Sequence, residues 1–404
     1  MKILILGIIL SILIRGLIIF NGLEVADIKN FHDSANMLLS GINPYLNAHL
    51  YPYPPLWMFF QAGSAVLAQM FHTSFHFVMK FWPNLADVLI AILIYKKIRS
   101  KLWSFFYLFN PVSLIISSAH GQFDSIGSSL TIFSIIFTNP LFLGLAISLK
   151  AYPAMLLPLF IFSQKIWQRK LRFLIFASLP TGLLLIPFLV LNSKETISAI
   201  FSYSGFGDLG YGAVLRSFWW QINAEHWLPQ SDQLLSFSKI SFLAGSIFFY
   251  ITFSGGKNLI KGCLAVYLLF LAVYFGISAQ YLLWVLPLAV LSKDKMVIPY
   301  SIVATLALSG FYLFFGPEIL LGKYFYLAGG FFQNKFMPLY FFGNLMLWLT
   351  ILFWLVKIVK EQLPEVQKFS PVRKKLVIAS ILVFIISLLP LTSSAIQIIR
   401  KSVS

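Results

Sequence analysis

The sequence is short of what a water-soluble protein of its length needs. Only 11% of its 404 residues are charged, whereas a soluble domain carries about a quarter. One cysteine, Cys263, lies in an apolar run, so an internal disulfide is excluded and redox compartment is unmarked. No glycine-rich phosphate loop, internal repeat or low-complexity tract is present. The long apolar runs do not alternate as the strands of a membrane barrel must.

What is there is hydrophobic, at 59% of residues with a mean hydropathy of +0.85. Apolar runs of 18 or more recur, near the roughly 20 that cross a bilayer as a helix. The class expected is all-α: a polytopic membrane protein of about 11–13 helices, some broken or re-entrant. The first run, "MKILILGIILSILIRGLIIF", has the charge and length of a signal peptide. It lacks a small-residue cleavage site and contains Arg15, so a retained helix is expected.

The +17 net charge is topological. Nineteen of the 30 Lys and Arg residues fall in short clusters: Lys2, 96–101, 165–172, Lys257 with Lys261, Lys293 with Lys295, and 357–375. Positive-inside placement makes these cytoplasmic and excludes a nucleic-acid partner; membrane lipids are the natural one. Crossings are then expected at 3–20, 76–95, 102–119, 125–138, 173–191, 236–254, 262–277, 281–291, 297–315, 337–356 and 376–397. Residues 55–71 form a re-entrant or interfacial helix, and two short helices meet at "KAYP". The outer loops are 21–54, 119–125, 192–235 and 316–336, and 357–375 is an inner loop. Nine of the thirteen acidic residues fall outside on this map. The expected division is a membrane module over 1–235, followed by C-terminal helices over 236–404.

Polar residues gather at the expected outer face. In "DIKNFHDSANMLL", which opens at Asp27, the apolar positions 28, 31, 35, 38 and 39 have helical spacing, as in an amphipathic helix on the membrane surface, with Lys29, Asn30, Asp33 and Asn36 on other faces. "GINPY" and "YPYPP" carry turn chemistry and supply Tyr45 and Tyr53. "SSAHGQFDSIG" offers His120, Gln122 and Asp124, the last also a natural helix N-cap. Lys150 interrupts an apolar stretch beside Tyr152-Pro153. It either snorkels to the interface or meets an anion such as phosphate. "SAQYLLWVLP" presents Gln280 and Tyr281, which equally suit an interfacial belt. Arg216 lies in a loop rich in glycine and aromatics. Two carboxylates and a histidine on distant loops are a weak metal signal; neither a metal nor another cofactor is expected.

Four of these segments, in order over residues 20–290, resemble the family of GPI mannosyltransferases that add the first mannose. "ADIKNFHDSANMLLSGINPYLNAHLYPYPPL" is similar to its first outer loop, of the form T-D-x-D-Y, D-A-A, G-x-x-P-Y, Y-x-Y-T-P-L. "SSAHGQFDSI" resembles S-S-R-G-N-x-D/E-S-I, "LKAYPAMLLP" resembles K-x-Y-P, and "QYLLWVLPL" resembles Q-Y-F-x-W-Y-x-x-x-L-P. The resemblance extends to the GT-C superfamily, including dolichol-phosphate glucosyltransferases and prokaryotic polyprenol-phosphate-dependent mannosyl- and arabinofuranosyltransferases.

The resemblance implies an inverting transfer of a sugar, mannose first, from a polyprenyl (dolichyl) phosphate to a lipid-linked or glycan acceptor. The site would lie on the non-cytoplasmic face of the plasma membrane in a prokaryote, or of the endoplasmic reticulum in a eukaryote. An accessory membrane subunit accompanies some such enzymes. The first D of D-x-D falls on Asp27, the expected base; the second falls on Lys29, a departure that weakens a metal site. Lys150, with Lys29, Arg216 and His120, is expected at the donor phosphate. Asp33, Tyr45, Tyr53, Gln122, Asp124, Tyr152, Gln280 and Tyr281 are expected to shape the substrate pocket. The apolar groove beside 55–71 and 141–162 would hold the prenyl tail. The alternative from another class is a lipid or sugar transporter or flippase, which calls for paired halves with broken helices. An alternative within the fold is a lipid-A-type or protein O-glycosyltransferase.

Overall fold

The computed structural model describes residues 2–47, 50–202, 205, 207–222, 231–256, 258–327 and 333–403. The chain is helical throughout, at 85% helix, and has no strand among the described residues. Eight helices are long and apolar enough to cross a membrane, and five shorter apolar helices accompany them. The protein is therefore a polytopic helical membrane protein. Large apolar side chains cover its outside: on the first helix Leu6, Leu13 and Leu17 are each about 60% exposed, an arrangement stable only against lipid.

The chain packs as two compact units, each discontinuous in sequence. One comprises 1–157, 166–203 and 316–331; the other comprises 158–165, 204–315 and 332–404.

The first unit contains α1 (Lys2–Asn21), α2 (Ala26–Leu39), α3 (Leu56–Met70), α4 (Phe75–Ile98) and α5 (Lys101–His120). It continues through α6 (Asp124–Phe137), α7 (Pro140–Leu149) and the start of α8 (Tyr152–Ser163), and it holds α9 (Trp167–Ser202). Three starts share one device. Asn43, Asn110 and Asn139 each precede a proline, and each side chain accepts the N–H two residues on. Asparagine satisfies an orphan donor, and proline's missing N–H costs nothing at the first position. At 15 residues α3 is short of a span, and α7 ends where Lys150 turns extended (φ −154°, ψ 142°) ahead of Pro153.

In the second unit, α10 (Gly210–Ile222) and α11 (Ser231–Thr252) lead to α12 (Leu259–Val273) and α13 (Leu282–Leu291). Every residue of α13, and of α12 from Gly262 on, is buried, so both lie inside the bundle. α14 (Val297–Phe315) packs on α15 (Met337–Gln367), and α16 (Pro371–Val403) on α11. Gly310 permits the first contact, since a Cβ there would lie 2.5 Å from the Tyr340 backbone nitrogen.

Several boundaries differ from the sequence reading. The expected inner loop 357–375 is helical except for residues 368–370, because its charged positions stay in phase with the exposed face. The expected outer loop 192–235 is helical up to Ser202 and again over Gly210–Ile222. Positions 203, 204, 206 and 223–230 lie outside the described residues. The expected crossings 125–138, 262–277 and 281–291 are helices of 14, 15 and 10 residues, too short to span alone.

Buried charge fastens the first unit. The Arg15 guanidinium bonds Asp87 at 2.7 Å, Asn84 at 3.0 Å, Ser113 at 2.8 Å and the Leu108 carbonyl at 3.1 Å; Tyr107 donates to the other Asp87 oxygen at 2.6 Å. Both charged groups are at most 2% exposed. Removing one partner strands the other, at about 3–5 kcal/mol, whereas apolar replacement of both is often tolerated. We expect Arg15→Leu to lower the unfolding midpoint of the detergent-solubilised protein sharply, and Arg15→Leu with Asp87→Leu to recover most of the loss.

Candidate functional site

The local backbone sets the site. The last seven residues of α5, Leu114–His120, are wound as a π-helix, a form that recurs at functional positions. The winding stops at Gly121 (φ +88°), and the Ile116 carbonyl accepts the N–H of both Gly121 and Gln122 at 3.0 Å. A Cβ at Gly121 would lie 2.9 Å from Lys80 Cγ and 3.1 Å from Ile28. Buried Lys80 donates to the Ala119 carbonyl at 2.6 Å, holding the turn from the other side.

This turn meets α2. Ile28, Phe31, Ser34 and Ala35 are buried, and Asp27 stands one and two turns before Phe31 and Ser34, at the edge of the packed face. His120 Nε2 lies 3.1 Å from Asp27 Oδ2, and Gln122 Nε2 donates to the same oxygen. With the carboxylate ionised, the histidine nitrogen must be the donor. No bond to Asp27 Oδ1 is made among the described residues, and the side chain is 43% exposed. Burial of the carboxyl raises its pKa, but the His120 bond and charge, the Lys150 charge and the Gln122 bond outweigh it and hold Asp27 below the usual range. Gln122 is fully buried, and its Oε1 has no hydrogen-bond partner among the described residues.

A second pair lies alongside. Lys150 donates to Asp124 Oδ2 at 2.8 Å, with the ammonium 4.6 Å from the Phe123 ring centre and 5.5 Å from that of Tyr53. Asp124 is fully buried and opens α6 without capping it, so its carboxylate serves the lysine and not the helix end. Tyr152 donates to the Asp124 carbonyl at 3.0 Å and meets Ser128 at 3.1 Å. A Cβ at Gly127 would come within 2.7 Å of that hydroxyl. Phe123 stacks on Trp57 at 4.1 Å, forming an aromatic floor with Phe31.

Residues from four separate segments thus converge: Asp27, Tyr53, His120–Asp124 and Lys150–Tyr152. Others take different places. Lys29 and Asp33 are exposed on α2, away from its packed face, because their spacing from Asp27 turns them off that side. Tyr45 is buried and donates to the Tyr53 carbonyl at 2.9 Å, supporting the loop that carries Tyr53. Tyr51, absent from the sequence reading, is buried beside it, accepting from the Met58 N–H at 2.8 Å.

Arg216, Gln280 and Tyr281 belong to the second unit. There Arg216 lies 3.6 Å from Asp208, whose carboxyl burial pushes up to about 6 against the pull of the arginine. Tyr281 stacks on Trp284 at 4.3 Å, and Gln280 is buried. Among the described residues no three His, Cys, Asp or Glu side chains are grouped to hold a metal ion. Compared with protein-family models and with curated proteins, the sequence matches none.

Gly121 is the residue on which the Asp27 contacts turn. Gly121→Ala would pay about 1–2 kcal/mol for the left-handed backbone alone, before the clash with Lys80. The expected result is a lower unfolding midpoint together with altered exchange of the Asp27–His120 pair, read by histidine NMR in the intact protein.

Proposed function

We propose that the protein is an inverting glycosyltransferase of the GT-C kind. It moves a hexose, mannose first among candidates, from a polyprenyl phosphate to a lipid-linked or glycan acceptor at the non-cytoplasmic membrane face. The supporting observation is the asymmetry of Asp27: on a side chain that is 43% exposed, Oδ2 is anchored by His120 and Gln122, which leaves Oδ1 for an incoming hydroxyl.

In the reaction, Oδ1 takes the proton of the acceptor hydroxyl as that oxygen bonds to the anomeric carbon. The bond from that carbon to the phosphate oxygen breaks on the opposite face, and the polyprenyl phosphate leaves with the electron pair. The low pKa of Asp27 keeps it ionised and ready to accept. Lys150 meets the charge that grows on the leaving phosphate, in a buried setting where such an interaction is strong. Asp124 and the two aromatic rings fix the ammonium in place beforehand. Tyr53, half-buried beside the Lys150 ammonium, would receive sugar hydroxyls, and an apolar groove beside residues 55–71 and 141–162 would take the prenyl chain.

Turnover of a panel of polyprenyl-phosphate sugars by the purified protein tests this directly. Asp27→Asn should lower turnover by about 10²–10⁴-fold with folding intact. If it keeps turnover within a few-fold of wild type, Asp27 is not the base.

Lys150→Ala should cost about 10²-fold in use of the same donor, with Lys150→Arg recovering part of it. An alanine variant with unchanged kcat and donor KM would remove the phosphate role.

A further inference from the structure

A second polar site lies in the other unit, remote in sequence from Asp27 and Lys150. The loop between α13 and α14, the first turn of α12 and the last turns of α15 border an open pocket of about 270 Å³. Four lysines line it, Lys261, Lys293, Lys295 and Lys357, against two carboxylates, Asp294 and Glu361.

The carboxylates are engaged within the protein. Asp294 accepts the Met296 N–H at 3.0 Å at the start of α14, the Trp354 indole at 2.9 Å and Lys357 at 2.9 Å. Glu361 pairs with Lys261 and lies 3.8 Å from Lys357. These contacts use both negative charges. Lys293 and Lys295 are exposed at the pocket edge and belong to neither pair. Lys293 takes a left-handed backbone (φ +54°) just past α13.

Apolar surface begins where the lysines end. Ile298 and Ile302, one turn apart on α14, are 47% and 59% exposed. On α15, Phe353 is one turn before Lys357 and is 65% exposed. A cationic pocket with exposed apolar side chains on α14 and α15 matches a ligand with an anionic head and acyl chains. The volume, below the roughly 300–1,000 Å³ of common ligand clefts, suits a headgroup better than a nucleotide or glycan.

We infer that this pocket binds the phosphate of an anionic phospholipid, with Lys293 and Lys295 contacting the phosphate oxygens and Ile298, Ile302 and Phe353 flanking the chains. The site lies among the lysine clusters that positive-inside placement assigns to the cytoplasmic leaflet, where anionic lipid is concentrated. It is independent of the transferase reading.

The test uses the full chain in nanodiscs of phosphatidylcholine with or without phosphatidylglycerol, with retained lipid counted by native mass spectrometry. Two lysines at about 1 kcal/mol each correspond to roughly a thirtyfold preference for phosphatidylglycerol. Lys293→Gln with Lys295→Gln should abolish that preference, and Lys293→Arg with Lys295→Arg should keep it. Lys374→Gln with Lys375→Gln, which removes equal charge outside the pocket, should leave it unchanged. Equal retention of the two lipids by wild type overturns the inference, as does equal loss in both glutamine pairs. A third arm adds inorganic phosphate to phosphatidylcholine discs. Phosphate binding that depends on Lys293 and Lys295, without a phosphatidylglycerol preference, would mark a soluble phosphate site and overturn the lipid assignment.

Discussion

The first unit depends on the burial of a single guanidinium. A charge inside a helical membrane bundle is stable only if its field and its donors are met by neighbours. Arg15 on α1 finds Asp87 and Asn84 on α4 and Ser113 and Ser118 on α5, together with a free carbonyl at Leu108. Three segments are thereby fixed in one relative rotation. Apolar packing alone would let them slip, since lipid and a leucine-lined groove are nearly equivalent surroundings. Ser118 is two residues from His120, so the orientation imposed by Arg15 passes straight to the residue that touches Asp27.

The same constraint explains the backbone at the site. A regular α-helix ending near Ser118 would leave carbonyls without partners inside the bundle. The π winding and Gly121 return two N–H groups to Ile116, Lys80 takes the Ala119 carbonyl, and the Asn84 amide takes that of Ser117. With the main chain satisfied, His120 and Gln122 are left to make side-chain contacts. Two aspartates then diverge in role through surroundings alone. Asp124 is sealed against Lys150, whereas Asp27 is tethered through one oxygen on a side chain that is 43% exposed.

Much of this was legible in the sequence because chemistry in lipid is conspicuous. His120, Gln122, Asp124, Lys150 and Asp27 each interrupt an apolar background or sit at its edge, and the Asn-Pro and Tyr-Pro pairs marked where helices begin and break. What was not legible is which distant groups pair. Asp87 and Lys80 lie seven residues apart on α4, a spacing that puts them on one side of the helix. In the structure Asp87 meets Arg15 and Lys80 meets a carbonyl, because partner choice depends on helix rotations that no local pattern encodes. The π segment has the composition of an ordinary helix. Lys29 and Asp33, which helical spacing already sets off the apolar face, are exposed on α2 and stand apart from the packed side that carries the site. The membrane crossings were legible as apolar runs, but their lengths were not, since α12 and α13 are short, buried and apolar on every side.

Under the proposed transfer three aspartates could in principle take a proton from an acceptor, and basicity alone would choose Asp208 over Asp27. Asp208, held near 6, is better matched to neutral pH than Asp27, whose carboxyl is held low. Yet Asp208 faces Arg216, and its side chain is only 20% exposed. Asp124 is fully enclosed beside Lys150. A base must first be reachable by the hydroxyl it serves, and its weakness can be offset if the phosphate departs early and the attacking oxygen loses its proton late. An activated glycosyl phosphate favours that order of events, because charge accumulates on the leaving group before the nucleophile is committed. In the proposed reaction the demand then shifts from a strong base to a cation at the phosphate, the part proposed for Lys150, which a carboxylate and two aromatic faces hold in place.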